Sequence, residues 1–134
     1  MEATAEHVKK HGGSITGIIT HRICDYGKAS RLPDELIRVD TLGERKQMML
    51  DKADVFIALP GGFGTLDEIF TVIAAGHLGY HDKKVVFCNT NGFYNLLINQ
   101  IELFYRERFA SPHYKNYYQI ATNAEECIRI LENF

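Results

Sequence analysis

No stretch of this 134-residue chain is apolar for the roughly 20 residues that a bilayer-spanning helix needs, so a membrane-spanning helix is excluded. Cysteine is scarce. Cys24, Cys88 and Cys127 are odd in number, far apart and free of any C-x-x-C pair. Neither a disulfide framework nor a zinc knuckle is indicated, and reduced thiols are expected. A charge excess of one sign is missing too. Lys+Arg 15 against Asp+Glu 17 leaves a formal net charge of -2, which advertises neither nucleic acid nor an anionic membrane as a partner. No repeat, low-complexity tract or charge block interrupts the chain. The N-terminus lacks a basic segment followed by a long apolar one, so no secretory signal is read there and a cytoplasmic location is expected.

What is present is a globular composition, 46% apolar and 24% charged, of a size that fits one domain over 1–134. Its pattern alternates helix and strand. Met1, Thr4, Ala5 and Val8 recur at helical spacing until Gly12-Gly13. Ser14–Thr20 reads as a short strand. A polar loop is expected beyond His21, and Cys24–Pro33 is the most loop-like stretch, with Gly27 and Pro33 as breakers. Leu36–Asp40 reads as a strand and Glu44–Lys52 as a helix. Val55–Leu59 is a continuous apolar run, the pattern of a strand buried on both faces. A helix over Thr65–Leu78, a buried strand over Val85–Cys88 and a long amphipathic helix over Phe93–Phe109 follow. Tyr118–Ala121 is read as the last strand and Ala124–Leu131 as the closing helix. Alternation with short connections predicts an α/β fold, a Rossmann-like parallel sheet flanked by helices. A chain that begins in a helix feeding a parallel strand looks like the C-terminal portion of a doubly wound domain. The strand at Ile15–Ile19 would then leave an open edge.

The segment richest in chemistry is Pro60-Gly61-Gly62-Phe63-Gly64-Thr65-Leu66-Asp67-Glu68, between the Val55–Leu59 strand and the next helix. Glycines bring backbone N–H groups close to a ligand, and the first turn of a helix offers unpaired N–H groups at a positive dipole end. The segment follows a sheet strand at its carboxyl end, where open α/β sheets bind ligands. No Lys follows the last glycine, so it is not a Walker loop, and it is not the dinucleotide fingerprint. Thr65-x-x-Glu68 also has the spacing of a capping box, and on spacing alone Glu68 is as readily a cap as a functional carboxylate.

The whole string resembles P-G-G-x-G-T-x-x-E, the signature of the family labelled lysine decarboxylase-like, to which the LONELY GUY (LOG) proteins belong. Upstream, Gly43-Glu44-Arg45-Lys46-Gln47-Met48-Met49 is similar to the family's Arg-Lys element, although Gly43 stands where the family has His. Asp54–Leu59 resembles its D-A-F-I-A-L strand. His77-Leu78-Gly79 and Asn91-Gly92-Phe93-Tyr94 resemble its Q-L-G and N-G-Y-Y stretches, with His77 in place of Gln; Lys84 replaces a Pro. Family members also carry an N-terminal glycine-rich loop ending in G-L-M. Met1 of this chain aligns with that Met, so the first βαβ portion is expected to be missing.

The resemblance implies hydrolysis of the N-glycosidic bond of a nucleoside 5′-monophosphate, AMP or a cytokinin riboside monophosphate, to free base and ribose 5-phosphate. The transition state is oxocarbenium-like, and a carboxylate beside the anomeric carbon stabilises it. Glu68 is the candidate for that role. Arg45 is the candidate for substrate binding and for stabilising the departing base. Gly61, Gly62, Gly64 and Thr65 would cradle the phosphate, with Lys46 and Asp67 as further substrate-binding candidates. No metal or organic cofactor is called for, and decarboxylation, which would need pyridoxal phosphate on a Lys, finds no suitable context. A different class stays open: a nucleotide- or phosphate-binding module that lost catalysis with its N-terminal half.

Other features read as structural. His77-x-x-x-His81 has the spacing of two metal ligands on one helix face, but Gly79 and Tyr80 intervene near a helix end and no third ligand is apparent. Tyr114, Tyr117 and Tyr118 read as a strand-edge or interface cluster, and Phe104, Tyr105 and Phe109 as core or dimer surface. The family resemblance implies a homodimer or larger homo-oligomer. The helices around Arg45–Met49 and Thr65–Leu78 are the expected contact, because Met48, Met49 and Leu50 give the first more than one apolar side.

Overall fold

The structure is a computed structural model and describes residues 2–25 and 30–134; Met1 and the Gly27 breaker lie outside the described residues. It comprises two compact units, 1–52 and 53–134, each with its own parallel sheet.

In the first unit, α1 (Glu2–Lys10) precedes β1 (Thr16–Thr20), α2 (His21–Asp25), β2 (Glu35–Val39) and α3 (Leu42–Lys52). Gly12 ends the first helix with φ 77°, a left-handed conformation that costs a Cβ-free residue little, and the Gly13 N–H returns to the Val8 carbonyl at 3.0 Å. The β1 and β2 strands pair from Thr16 opposite Glu35 to Thr20 opposite Val39, and only these last two residues are buried. The Asp34 carboxylate accepts the Lys9 ammonium and the Ile15 N–H, and both bonds hold its pKa below the ordinary carboxylate value. The polar loop expected beyond His21 is instead the short α2.

The second unit runs β3 (Phe56–Ala58), α4 (Phe63–His77), β4 (Val85–Cys88), a 3-10 turn (Thr90–Gly92), α5 (Asn95–Arg106), a 3-10 helix (Pro112–Tyr117), β5 (Tyr118–Ala121) and α6 (Ala124–Leu131). The strands are parallel in the order β3-β4-β5. All four residues of the central strand are buried, with α4 packed against β3 and β4 and α6 against β4 and β5. Cys127 of α6, with Ile130 and Leu131, packs on Val86, Cys88 and Ala121. Gly76 lets α4 meet the 3-10 helix, since a Cβ there would collide with the Tyr117 ring. Burial pushes the Tyr118 phenol well above its ordinary pKa, reinforced by its hydrogen bond to Tyr105 at 3.0 Å.

The α/β class and parallel pairing follow the sequence reading; three further particulars differ. The apolar run at Val55–Leu59 yields only a three-residue strand in which Ala58 alone is buried and Ile57 is 47% exposed. An edge strand has a neighbour on one side only, and a run of apolar residues does not encode which place in the sheet a strand takes. The helix expected over Phe93–Phe109 is α5 alone. Its start is delayed by the turn at Asn91 and Gly92 (φ 55° and 70°), and it ends before Arg108 turns left-handed at φ 62°. The helix expected from Thr65 begins two residues earlier, at Phe63.

Candidate active site

That earlier start changes the role of the Thr65–Glu68 pair. The N-cap of α4 is Gly62, with no side-chain cap hydrogen bond, so Thr65 lies inside the first turn and the capping-box reading of Thr65 and Glu68 does not hold. A reciprocal box exists elsewhere: the Glu44 N–H donates to Thr41 Oγ1 at 3.1 Å, and the Glu44 carboxylate accepts from Thr41 N–H at 3.4 Å and Asp40 N–H at 2.9 Å. The start of α3 is therefore sealed by side chains, whereas the N-cap of α4, Gly62, makes no such bond.

The first intrahelical bond of α4 is Leu66 N–H to Gly62 C=O at 3.1 Å. Helix geometry then leaves the amides of Phe63, Gly64 and Thr65 without an acceptor in the helix, at its positive end. Each glycine contributes differently. A Cβ on Gly61 would run into the Thr65 side chain, so this position needs the close approach glycine permits. A Cβ on Gly62 or Gly64 would meet nothing within 4 Å, so no close packing demands glycine at these two positions. Phe63 stands at the mouth, 95% exposed. Glu68, half-buried, lies three and four residues beyond Thr65 and Gly64 and so shares their helix face. Its Cα–Cβ bond tilts toward the helix N-terminus, as all do in an α-helix. Asp67 is exposed, and its carbonyl accepts the Thr71 hydroxyl at 2.7 Å.

The second unit thus gathers Gly61, Gly62, Gly64, Thr65, Asp67 and Glu68 at one helix start. Arg45 and Lys46, both half-buried on α3, belong to the first unit. The Arg45 Nε–H donates to the Ile18 carbonyl at 2.8 Å, which ties α3 to β1 and fixes the plane of the guanidinium. Among the described residues no group of three or more His, Cys, Asp and Glu side chains is placed to hold a metal ion.

One contributor was not singled out from the sequence. Tyr94, 2% exposed, donates its hydroxyl to the Leu59 carbonyl at 2.5 Å and is also hydrogen-bonded to the Gly61 backbone. Burial raises its pKa and the Gly61 bond offsets part of that rise. Its own backbone is held by Asn89, whose Oδ1 accepts the Tyr94 N–H at 2.7 Å while its Nδ2 donates to Asn95 Oδ1 at 2.9 Å. Tyr94 therefore clasps the glycine segment from the adjacent strand's turn. The sequence signal was the Asn91-Gly92 turn directly after a buried strand, which places the next residues beside the preceding loop.

Comparison with known proteins bears on these residues. The family described as possible lysine decarboxylase matches residues 1–131. A cytokinin riboside 5'-monophosphate phosphoribohydrolase of Arabidopsis thaliana is 37% identical over 134 residues, all of this chain and 59% of that protein. One from Mycobacterium tuberculosis is 36% identical over 129 residues, 96% of this chain and 69% of that protein. The chain thus spans 59% of the length of the Arabidopsis relative. Among solved structures, a molybdenum cofactor binding protein from Rippkaea orientalis is similar with TM-score 0.64 at 24% identity, over 99% of this chain and 69% of that one. That likeness shows a shared fold. The match across 131 residues and the two phosphoribohydrolase relatives together establish that this chain belongs to the possible lysine decarboxylase family.

Proposed function

We propose that this chain hydrolyses the N-glycosidic bond of a nucleoside 5′-monophosphate, AMP or a cytokinin riboside monophosphate, releasing free base and ribose 5-phosphate. The observation that carries the reading is the start of α4, where the N-cap Gly62 makes no side-chain cap bond and the amides of Phe63, Gly64 and Thr65 have no acceptor in the helix. A phosphate accepts from such amides and is favoured by the helix dipole. The names of the relatives, with the family match over 1–131, support the substrate class and support treating 1–134 as one nucleotide-binding domain.

With the phosphate on the amides of Phe63, Gly64 and Thr65, Glu68 one turn along takes a proton from water as the water oxygen bonds to the anomeric carbon. The C1′–N bond breaks, and the base leaves with the proton returned to its nitrogen. Arg45 binds substrate and stabilises charge on the departing base; Lys46 and Asp67 add polar contacts. The reaction needs no cofactor. A homodimer or larger homo-oligomer is part of the proposal, supported by the exposed Phe70 on α4 and Leu78 just past its end, as is a cytoplasmic location, supported by three free cysteines.

The test incubates the full chain with AMP and with an isoprenoid-modified AMP and measures free base. Release that Glu68→Gln abolishes supports the proposal. AMP raising the melting temperature without base release would leave a binding module and overturn it.

A further inference from the structure

The pair read from the sequence as a weak metal motif, His77 and His81, is not the pair the fold makes. His81 Nδ1 accepts the Lys83 N–H at 3.0 Å. His77, in the last turn of α4, instead faces His113 of the Pro112–Tyr117 3-10 helix, with Nδ1 3.2 Å from Nδ1. We propose that His77 and His113 form a two-nitrogen site for a divalent late transition metal of the zinc class, with water completing the coordination.

The geometry points there for four reasons. Two imidazole nitrogens bound to one tetrahedral zinc at 2.0–2.1 Å stand about 3.3 Å apart, close to the spacing that the two rings already have. Both rings are oriented by other contacts. His77 stacks on Tyr114 with centroids 3.8 Å apart and 16° between planes, and the His113 ring meets the Tyr117 ring edge-on with centroids 5.5 Å apart. Neither residue is buried, so water can reach the open coordination positions. Finally, His77 lies at the C-terminal, negative end of α4, which favours a cation. The site sits about 20 Å along that helix from the glycine segment, and it ties α4 to the 3-10 helix where Gly76 already lets them touch.

A borderline-soft ion that prefers imidazole is selected over Mg2+ or Ca2+, which take oxygen ligands. Binding requires both Nδ1 atoms unprotonated, with each ring proton on Nε2. The competing state is one proton shared between the rings. His7 and His11 are a second candidate pair, with ring centroids 4.3 Å apart, but His11 Nδ1 is engaged at 2.9 Å by the His7 carbonyl.

The test titrates the full chain carrying His7→Ala and His11→Ala with ZnCl2 by calorimetry, using MgCl2 as the control. Saturable one-to-one zinc binding, a zinc-dependent rise in melting temperature reversed by EDTA, and loss of both in His77→Ala and in His113→Ala support the site. A fold retained by circular dichroism in those variants makes the comparison clean. No zinc binding, or binding that survives His113→Ala, overturns the proposal and leaves a proton-sharing pair.

Discussion

Two neighbouring parallel strands of the second unit, β3 and β4, end in loops of opposite character. After β4 the turn closes on itself. Asn89 bonds the Tyr94 amide and the Asn95 side chain, Asn91 and Gly92 take the left-handed conformation, and Tyr94 is buried. After β3 the chain passes through Gly61 and Gly62 into a helix whose N-cap, Gly62, makes no side-chain cap bond. The strands differ in the same sense: Phe87 of β4 is 1% exposed, whereas Ile57 of β3 is half-exposed at the sheet edge. One strand and turn supply rigidity and the other supplies amides with no acceptor in their own helix, joined by the Tyr94 hydroxyl on the Leu59 carbonyl. A site that keeps polar groups open for a ligand needs a satisfied neighbour to hold it still.

Four substitutions or conditions sharpen that contrast. The largest effect is expected for Glu68→Gln on the open side, a loss of turnover of about 10²–10⁴-fold, the range for removing a general base. Chemical unfolding is expected to be unchanged within error, and a variant with normal turnover would remove Glu68 from the chemistry. Next, Phe87→Ala should destabilise by about 3–5 kcal/mol in urea unfolding, because it opens a cavity in the buried strand. Ile57→Ala should cost far less. Equal costs would break the contrast between centre and edge.

Tyr94→Phe should cost about 1 kcal/mol, one hydrogen bond's net worth. Turnover should fall through looser phosphate binding, read as a raised KM with kcat nearly kept. An unchanged KM would mean that the clasp does not position the glycine segment. The smallest effect concerns acid. Burial is the main cause of the lowered His81 pKa, and the nearby Lys83 and Lys84 charges act in the same sense. The unfolded chain therefore takes up the proton first as pH falls. Stability carried by neutral His81 is complete above about pH 6.5 and declines below it. A melting temperature that falls between pH 7 and pH 5.5 is expected in the native chain, and less so in His81→Ala.

These contrasts were only partly legible in the sequence. The β4, β5 and α6 elements were, because Val85–Cys88 is a continuous apolar run of strand length and Asn123-x-x-Glu126 marks a helix start: Asn123 Oδ1 accepts the Glu126 N–H at 2.9 Å. The glycine segment was legible as a motif. Its helix start was not, because Thr65 and Glu68 carry a capping spacing that Thr41 and Glu44 satisfy instead. Both pairs obey one local rule, and only the backbone path through Gly61 and Gly62 decides between them. The edge position of β3 and the meeting of His77 with His113 depend on contacts distant in sequence, which periodicity does not encode.

The most direct test follows the amide resonances of the full chain while AMP is added. Saturable shifts should centre on Phe63, Gly64 and Thr65, and adenosine, which lacks the phosphate, should not reproduce them. AMP binding that leaves those three amides unmoved, or adenosine moving them equally, would contradict the account.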